Sequence, residues 1–175
     1  MFQKKWALDN GYDLIAWTFD PIRSLNAHFN LNKLGAITRT LVPNFYGTME
    51  DSLNAGIPTD RVVAEWWIKE KRVMPEGNSS VVLDVSKQDF NLQIEEITSF
   101  QPKVVKVAIP YDITSIMSND LAKAARIKKS LSVVLARLFS LQYSVVDFEK
   151  GQPSPWYVLS TDPPLKSGNL PNPFV

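Results

Sequence analysis

The sequence contains no cysteine and only one histidine, His28. Without cysteine the chain has no disulfide, no thiolate metal ligand and no thiol nucleophile. A single imidazole disfavours a zinc site built from several histidines, and it also disfavours a Ser-His-Asp relay. We therefore expect no metal centre, and the three chemistries that depend on sulfur are excluded.

Strong net charge and long apolar runs are also missing. The 19 basic and 18 acidic residues leave a formal charge of +1, so no bulk field attracts phosphate backbones or anionic lipid. No window approaches 18 uninterrupted apolar residues, and the lysines near the start have no apolar run behind them. Nucleic acid and membrane are therefore not expected as partners, and a cytoplasmic location is the default expectation.

Apolar residues are plentiful, at 45% of the 175 residues, which is enough for one domain or two small ones. Helix and strand patterns alternate in the first half and predict an α/β (α+β) sheet. The second half predicts a βαββ-type region, in which a helix from Ser118 to Leu141 forms a crossover between two strands. The predicted units are residues 1–70, a linker at 71–80, an accessory α/β region at 81–160 and a proline-rich tail at 161–175.

One strand-to-helix junction stands out in the first half. The segment Tyr12–Phe19 has apolar residues at both alternating sets of positions, which predicts a central buried strand. Asp20 follows it and is predicted to cap the next helix with Pro21 in its first turn, or Ser24 caps a shorter helix.

The residues around this junction resemble a known family. The run GYDLIAWTFDPIRSLNAHFNLNKLGA at 11–36, followed by NFYGTMEDSLNAGIPTDRVVAEWW at 44–67, is similar to the C-terminal half of predicted acetyltransferases of the GNAT superfamily. The likeness covers residues 1–68 and, more weakly, 103–160, where the family carries a phrase similar to YSVVDF. It is long and nearly without gaps, which makes it more specific than a short motif.

The resemblance implies an acyl-CoA-dependent N-acetyltransferase fold with acetyl-CoA as its cofactor. In that superfamily a glycine-rich turn at a helix start holds the cofactor pyrophosphate. The family places this turn a few residues before the position of Met1, so the chain is expected to begin inside the cofactor-binding helix. We therefore expect a truncated relative that neither binds acetyl-CoA tightly nor transfers acetyl, and whether Met1 is the native start stays open.

The resemblance also assigns roles to particular positions. It implies that the strand Tyr12–Phe19 and the helix Ser24–Leu34 form the second wall of the cofactor cleft, with the pantetheine arm running between splayed strands. Polar side chains early in that helix often contact the cofactor, so Ser24 and Asn26 are the expected cofactor-binding residues. Many members place a tyrosine general acid where this sequence has Leu31, and that departure puts ordinary acid assistance at this position in doubt.

Three side chains are weak catalytic candidates. His28 carries an imidazole, a common general base, and is a candidate if it faces the cleft, although a structural role is the more frequent fate of a lone titrating group. Glu65 lies inside a strand, where an ion pair with Arg61 or Arg39 is favoured over a role as base. Tyr46 is able to donate a proton, and packing with its hydroxyl at the rim explains it equally well.

Two functions follow from these observations. The leading hypothesis is an N-acetyltransferase relative, incomplete and inactive as this chain alone, whose amine acceptor is unknown. The alternative is a non-catalytic binding or oligomerisation module derived from the same fold. In that case the open edge of the strand Tyr12–Phe19 is covered by the second half of the chain, by a homodimer partner or by another polypeptide.

Overall fold

A computed structural model describes residues 2–47, 57–77, 81–85, 91–168 and 172–174. Within these ranges the chain is a mixed α/β protein with five α-helices and two sheets. In chain order the elements are α1 (Phe2–Asp9), β1 (Leu14–Phe19), α2 (Ser24–His28), β2 (Leu41–Val42), β3 (Arg61–Trp67), β4 (Val81–Asp84), α3 (Asn91–Phe100), β5 (Val104–Ala108), α4 (Ile113–Asn119), α5 (Leu121–Ser140), β6 (Ser144–Glu149) and β7 (Trp156–Ser160).

The first sheet has the strand order β1-β3-β2 and is antiparallel throughout. The register pairs Leu14 with Trp67 and Phe19 with Val62. The second sheet has the order β4-β5-β7-β6, in which β4 and β5 are parallel and the other neighbours are antiparallel. The helices α4 and α5 connect β5 to β6, which run in the same direction with β7 between them, as a crossover requires.

The two sheets are joined by a short segment between α2 and β2. Ile37 exchanges two backbone hydrogen bonds with Glu65 of β3, at 3.0 and 2.8 Å. The next residue, Thr38, exchanges two with Val145 of β6, at 3.2 and 2.8 Å. The two halves also contribute to one hydrophobic core, which includes Leu31 and many residues of α5 and β5 to β7. The described strands therefore form one continuous layer with β1 and β4 at its outer edges.

The position of β1 differs from the expectation of a central buried strand. Among the residues that the structure describes, β1 pairs with β3 alone, and Ala16 in its middle is exposed. The apolar residues on both faces are explained in another way, because Leu14 and Ala16 line an open groove that α1 covers only in part. The two apolar faces of β1 are therefore explained by its position as an edge strand beside a partly covered groove.

Two expected helix starts are also corrected. The predicted helix from Ser118 is divided at Asp120, whose carboxylate accepts a hydrogen bond from the Lys123 N–H at 2.8 Å and caps α5. Asp20 does not cap a helix, because its Oδ1 accepts from the Ile22 N–H within a turn. The helix α2 begins at Ser24 without a side-chain cap.

Candidate binding groove along the first strand

The free edge of β1 carries backbone groups that no described strand pairs with. On β3, Glu65 bonds through its backbone to Ile37, on the side away from β1. Directly after β3, the Ile68 N–H donates to the Asp13 carbonyl at 2.9 Å. Hydrogen-bonded pairs alternate along an antiparallel ladder, and Asp13, just before β1, bonds to β3. In β1 the backbone groups of Ile15, Trp17 and Phe19 therefore also face β3.

The remaining residues of β1 face outward. These are Leu14, Ala16 and Thr18, whose N–H and C=O groups are directed away from β3. An extended molecule lying along this edge finds two donors and two acceptors within about 7 Å of strand, the length of two residues. The edge is therefore a template for an extended chain that carries amide groups.

An apolar groove lies beside this edge and has a volume of about 510 Å³. Trp6 and Tyr12 stack at its rim, with ring centroids 6.0 Å apart and planes inclined by 17°. The turn that brings the two rings together is held by the Tyr12 N–H donating to the Ala7 carbonyl at 2.9 Å, after Gly11 in a left-handed conformation. The lining residues are Phe2, Gln3, Trp6, Ala7, Tyr12, Leu14, Ile15 and Ala16.

The aromatic side chains of this groove are unusually exposed. Phe2 is 84% exposed, and Trp6 and Tyr12 are each 54% exposed. Three large aromatic residues around one cavity form an exposed apolar patch, which in a folded protein is typical of a binding surface. The groove residues that line it carry no charge, so it selects an apolar and extended occupant.

A widened helical turn fixes the inner face of β1. The segment Phe29–Lys33 continues α2 as a π-helix, and the buried Asn30 accepts a hydrogen bond from Trp17 Nε1 at 3.3 Å. Arg72 donates to the Leu31 carbonyl in this turn and to Asp147 Oδ1, the latter at 3.0 Å. Burial lowers the pKa of Arg72, and the Asp147 carboxylate opposes that effect. These contacts hold β1 from one side and leave its outer edge free.

The two expected cofactor-binding residues lie apart from the groove. The Ser24 hydroxyl donates to the Tyr111 carbonyl at 2.7 Å, which ties α2 to the segment before α4. Asn26 is exposed on α2, and neither residue lines the groove. The structure thus places the groove at the start of β1, whereas Ser24 and Asn26 follow its end.

Glu65 forms the ion pair that its sequence context favoured. The side chain is fully buried, and Arg39 donates to both of its carboxylate oxygens. Trp67 Nε1 donates a further hydrogen bond to Glu65 Oε2 at 3.0 Å. The partner is Arg39 and not Arg61, and the three donors give Glu65 the contacts of a structural ion pair.

The other candidates are not brought together either. His28 is half-buried on α2, and its Nδ1 is buried without a hydrogen-bond partner in the described part of the chain. Leu31, at the position of the expected tyrosine acid, is fully buried in the core. Tyr46 lies at a second cavity of about 160 Å³, at the opposite end of β1 from the groove. The structure therefore provides no acid–base pair at the groove among these residues.

Sequence reasoning missed the groove and the second cavity. The chain was expected to begin inside a helix, but that expectation did not indicate that the side chains of Phe2 and Trp6 on this helix are exposed. The second cavity contains Lys128 and Asp20, which lie 3.2 Å apart although 108 positions separate them in sequence. The two apolar faces of β1 were a signal for the groove, because an edge strand that lies next to a helix shows the same pattern as a central strand.

Comparison of the chain with protein-family models, with curated proteins and with solved structures found no match. None of the described helices is long and apolar enough to cross a membrane. Over the same ranges, no group of three or more His, Asp or Glu side chains is arranged to hold a metal ion.

Proposed function

We propose that this chain is a GNAT-like relative of the acyl-CoA N-acyltransferases, in which the groove beside β1 holds the pantetheine arm of an acyl-CoA. The observation that carries the proposal is the free edge of β1 next to a groove of about 510 Å³. This is the strand for which the sequence resemblance implies a cofactor wall. The acceptor is an amine whose identity stays open.

The chemistry of pantetheine matches the groove. Its arm is a narrow extended chain with two secondary amides, and these are the groups that pair with the outward backbone of Leu14, Ala16 and Thr18. The methylene groups between the amides fit the apolar lining, and the stacked rings of Trp6 and Tyr12 cover one end. Both polar and apolar parts of the arm therefore find partners.

The phosphates of CoA find no such partners. The eight residues that line the groove carry no cationic side chain. Phosphate binding relies on cations or on backbone N–H groups at a helix start, so these groups add little affinity here. We therefore propose that the chain binds the arm weakly and transfers no acetyl group by itself, since Glu65, opposite Ala16 on β3, is fully buried in its ion pair with Arg39 and Tyr46 lies at the second cavity.

Calorimetry with pantetheine and with acetyl-CoA tests this proposal. A ligand of this size filling the groove is expected to bind with a Kd of roughly 0.1–1 mM, and acetyl-CoA no more than about tenfold tighter. Ala16→Arg places a large side chain in the groove and abolishes binding of both. Leu25→Ser removes an apolar side chain that is 80% exposed and lies outside the groove, and it leaves the Kd unchanged.

Two results contradict different parts of the proposal. Absence of pantetheine binding at millimolar concentrations removes the cofactor-wall function altogether. Sub-micromolar binding of acetyl-CoA instead shows that this chain holds the phosphates. It overturns the part of the proposal in which the chain binds the cofactor weakly and is inactive.

A second candidate is a non-catalytic oligomerisation module that uses the same edge. The specific observation in its favour is the combination of an unpaired strand edge with three exposed aromatic side chains. A second copy pairs its own β1 antiparallel to the first around a two-fold axis, since such an interface is self-complementary. Sedimentation equilibrium over a wide concentration range distinguishes this candidate, because only an oligomer gives a mass above 19.8 kDa.

A further inference from the structure

Six of the ten residues that line the second cavity are polar or charged. It lies where the turn after β1, the start of β3, α4 and α5 meet, and its volume is about 160 Å³. Its charged side chains are Asp20, Arg23, Arg61 and Lys128. We call this cavity the basic cleft, because its lining in the described part of the chain has three cationic side chains and one carboxylate.

The one carboxylate is already engaged by the chain. Asp20 Oδ1 accepts from the Ile22 N–H at 3.2 Å, and Oδ2 accepts from Lys128 Nζ at 3.2 Å. Arg23 Nε lies 3.9 Å from the same Oδ2, and its Nη1 donates to Thr114 at 3.3 Å. Asp20 balances one positive charge, so the described lining residues keep an excess of about two positive charges.

Tyr46 and Arg61 form a donor pair on the opposite wall. Arg61 Nη2 donates to the Tyr46 hydroxyl oxygen at 3.3 Å, and the guanidinium lies 5.0 Å from the centre of the Tyr46 ring. Because that oxygen accepts from arginine, the phenol proton is available to an incoming acceptor. The neighbouring Asp60 carboxylate accepts from the Asn44 N–H at 2.7 Å, and Asp60 does not line the cleft.

The remaining walls limit the size and character of an occupant. Ile57, Ile113 and Met117 supply apolar surface. A volume of about 160 Å³ corresponds to about five water molecules in the liquid, which is room for a small anion with a short apolar body.

We propose that the basic cleft is a binding site for a compact oxyanion, a phosphate or carboxylate group on a small molecule. Guanidinium groups and a phenol O–H are donors that recognise such oxygens, and Lys128 holds the Asp20 carboxylate beside them. The site stands at the other end of β1 from the groove and is independent of the proposed cofactor function.

Titration of the full chain with inorganic phosphate, and separately with acetate, tests this site by ¹H–¹⁵N NMR. Chloride holds the ionic strength constant, so that general screening is the same at every point. We expect saturable shifts centred on Arg61 and the Asp20 turn, with a Kd of roughly 1–10 mM for at least one of the two anions. A response to phosphate alone assigns a phosphate group, a response to acetate alone a carboxylate, and a response to both an oxyanion site of broad specificity.

Charge-matched variants separate a built site from general attraction. Arg61→Gln is expected to raise the Kd about tenfold or more, because it removes a charged donor. Arg23→Gln changes a side chain that is 48% exposed and is also expected to raise the Kd. It replaces Arg61→Gln in the test if that variant does not fold. Lys129→Gln removes the same charge from the exposed neighbour of Lys128 and leaves the Kd within about twofold. Linear shifts without saturation, or equal effects of Arg61→Gln and Lys129→Gln, overturn the proposal.

Discussion

Arg39 and Glu65 form a two-pronged ion pair in the interior of the first sheet. Arg39 Nε donates to Glu65 Oε1 and Arg39 Nη2 donates to Glu65 Oε2, both at 3.1 Å. Glu65 also bonds through its backbone to Ile37, one residue before the bridge that joins the two sheets. The pair thus lies beside the junction between the halves of the protein, and its contribution is to the fold.

Removal of the cation alone is expected to be severe. Arg39→Ala leaves the fully buried Glu65 carboxylate with Trp67 as its remaining side-chain donor, and the expected loss in the free energy of unfolding is about 3–5 kcal/mol. Urea unfolding followed by circular dichroism measures this loss. Replacement of both partners, as Arg39→Met with Glu65→Leu, is expected to cost less than Arg39→Ala, because no buried charge remains. A double variant as unstable as the single one would falsify this account.

A proline at the outer edge of β1 tests strand pairing between copies. Ala16→Pro removes an N–H that faces outward, so the ladder to β3 keeps its hydrogen bonds. Ile15→Pro, one residue earlier, removes an N–H that faces β3 and is expected to destabilise the fold by about 3 kcal/mol or more. If the wild-type chain dimerises in sedimentation equilibrium, Ala16→Pro is expected to be monomeric at the same concentrations. A dimer that persists in folded Ala16→Pro shows that the edge of β1 is not its interface.

Some of this structure follows from sequence because the signals are local. The two alternating apolar sets of Tyr12–Phe19 predicted a strand, which is β1, and a glutamate inside a strand implied an ion-pair partner, which Arg39 supplies. The position of β1 at the edge was not predictable in the same way. Strand order depends on pairing between distant segments, and apolar residues on both faces fit a covered central strand as well as an edge strand beside a groove.

The basic cleft shows the same limit more clearly. Asp20, Arg61 and Lys128 come from three separate stretches of chain and meet only after the sheet and α5 have packed. Each residue alone has an ordinary local explanation as a turn former or a solvated charge. The bridge between Thr38 and Val145 was equally hidden, because a single pair of backbone hydrogen bonds leaves no pattern in side chains.

The buried hydroxyl of Tyr157 gives a prediction for alkaline pH. It donates to the Pro21 carbonyl at 2.5 Å, and burial, with a smaller effect of the Asp20 carboxylate, raises the pKa of Tyr157 well above its ordinary value of 10.0. Burial also raises the pKa of Tyr143. The unfolded chain then loses these protons near pH 10 while the folded chain keeps them. The free energy of unfolding is therefore expected to fall as the pH rises above 10.

Tyr157→Phe separates this ionisation from the packing of the ring. Near neutral pH the variant is expected to lose about 1–2 kcal/mol in the free energy of unfolding, because the Pro21 carbonyl loses its donor. Above pH 10 its stability is expected to fall less steeply than that of the wild type, by up to about 1.4 kcal/mol per pH unit. Urea unfolding at a series of pH values measures both effects, and parallel curves on the alkaline side would rule out the contribution of Tyr157.

The contact between Gly151 and Trp156 gives a steric prediction. A Cβ atom added at Gly151 meets the Trp156 ring at 1.8 and 2.0 Å, so the indole must move. The ring is held in place by Lys106, whose ammonium lies 5.5 Å from its centre and pairs with Glu149 at 2.6 Å. Gly151→Ala is therefore expected to cost about 1–3 kcal/mol in the free energy of unfolding and to change the tryptophan fluorescence.

The double variant identifies the cause of that loss. Once Trp156→Ala has removed the ring, Gly151→Ala is expected to cost less than about 0.5 kcal/mol, because the added methyl group no longer meets an indole. The coupling between the two substitutions then accounts for most of the cost of Gly151→Ala alone. An equal cost in both backgrounds instead shows that contact with the Trp156 ring is not the cause. The effect then lies in the backbone at residue 151.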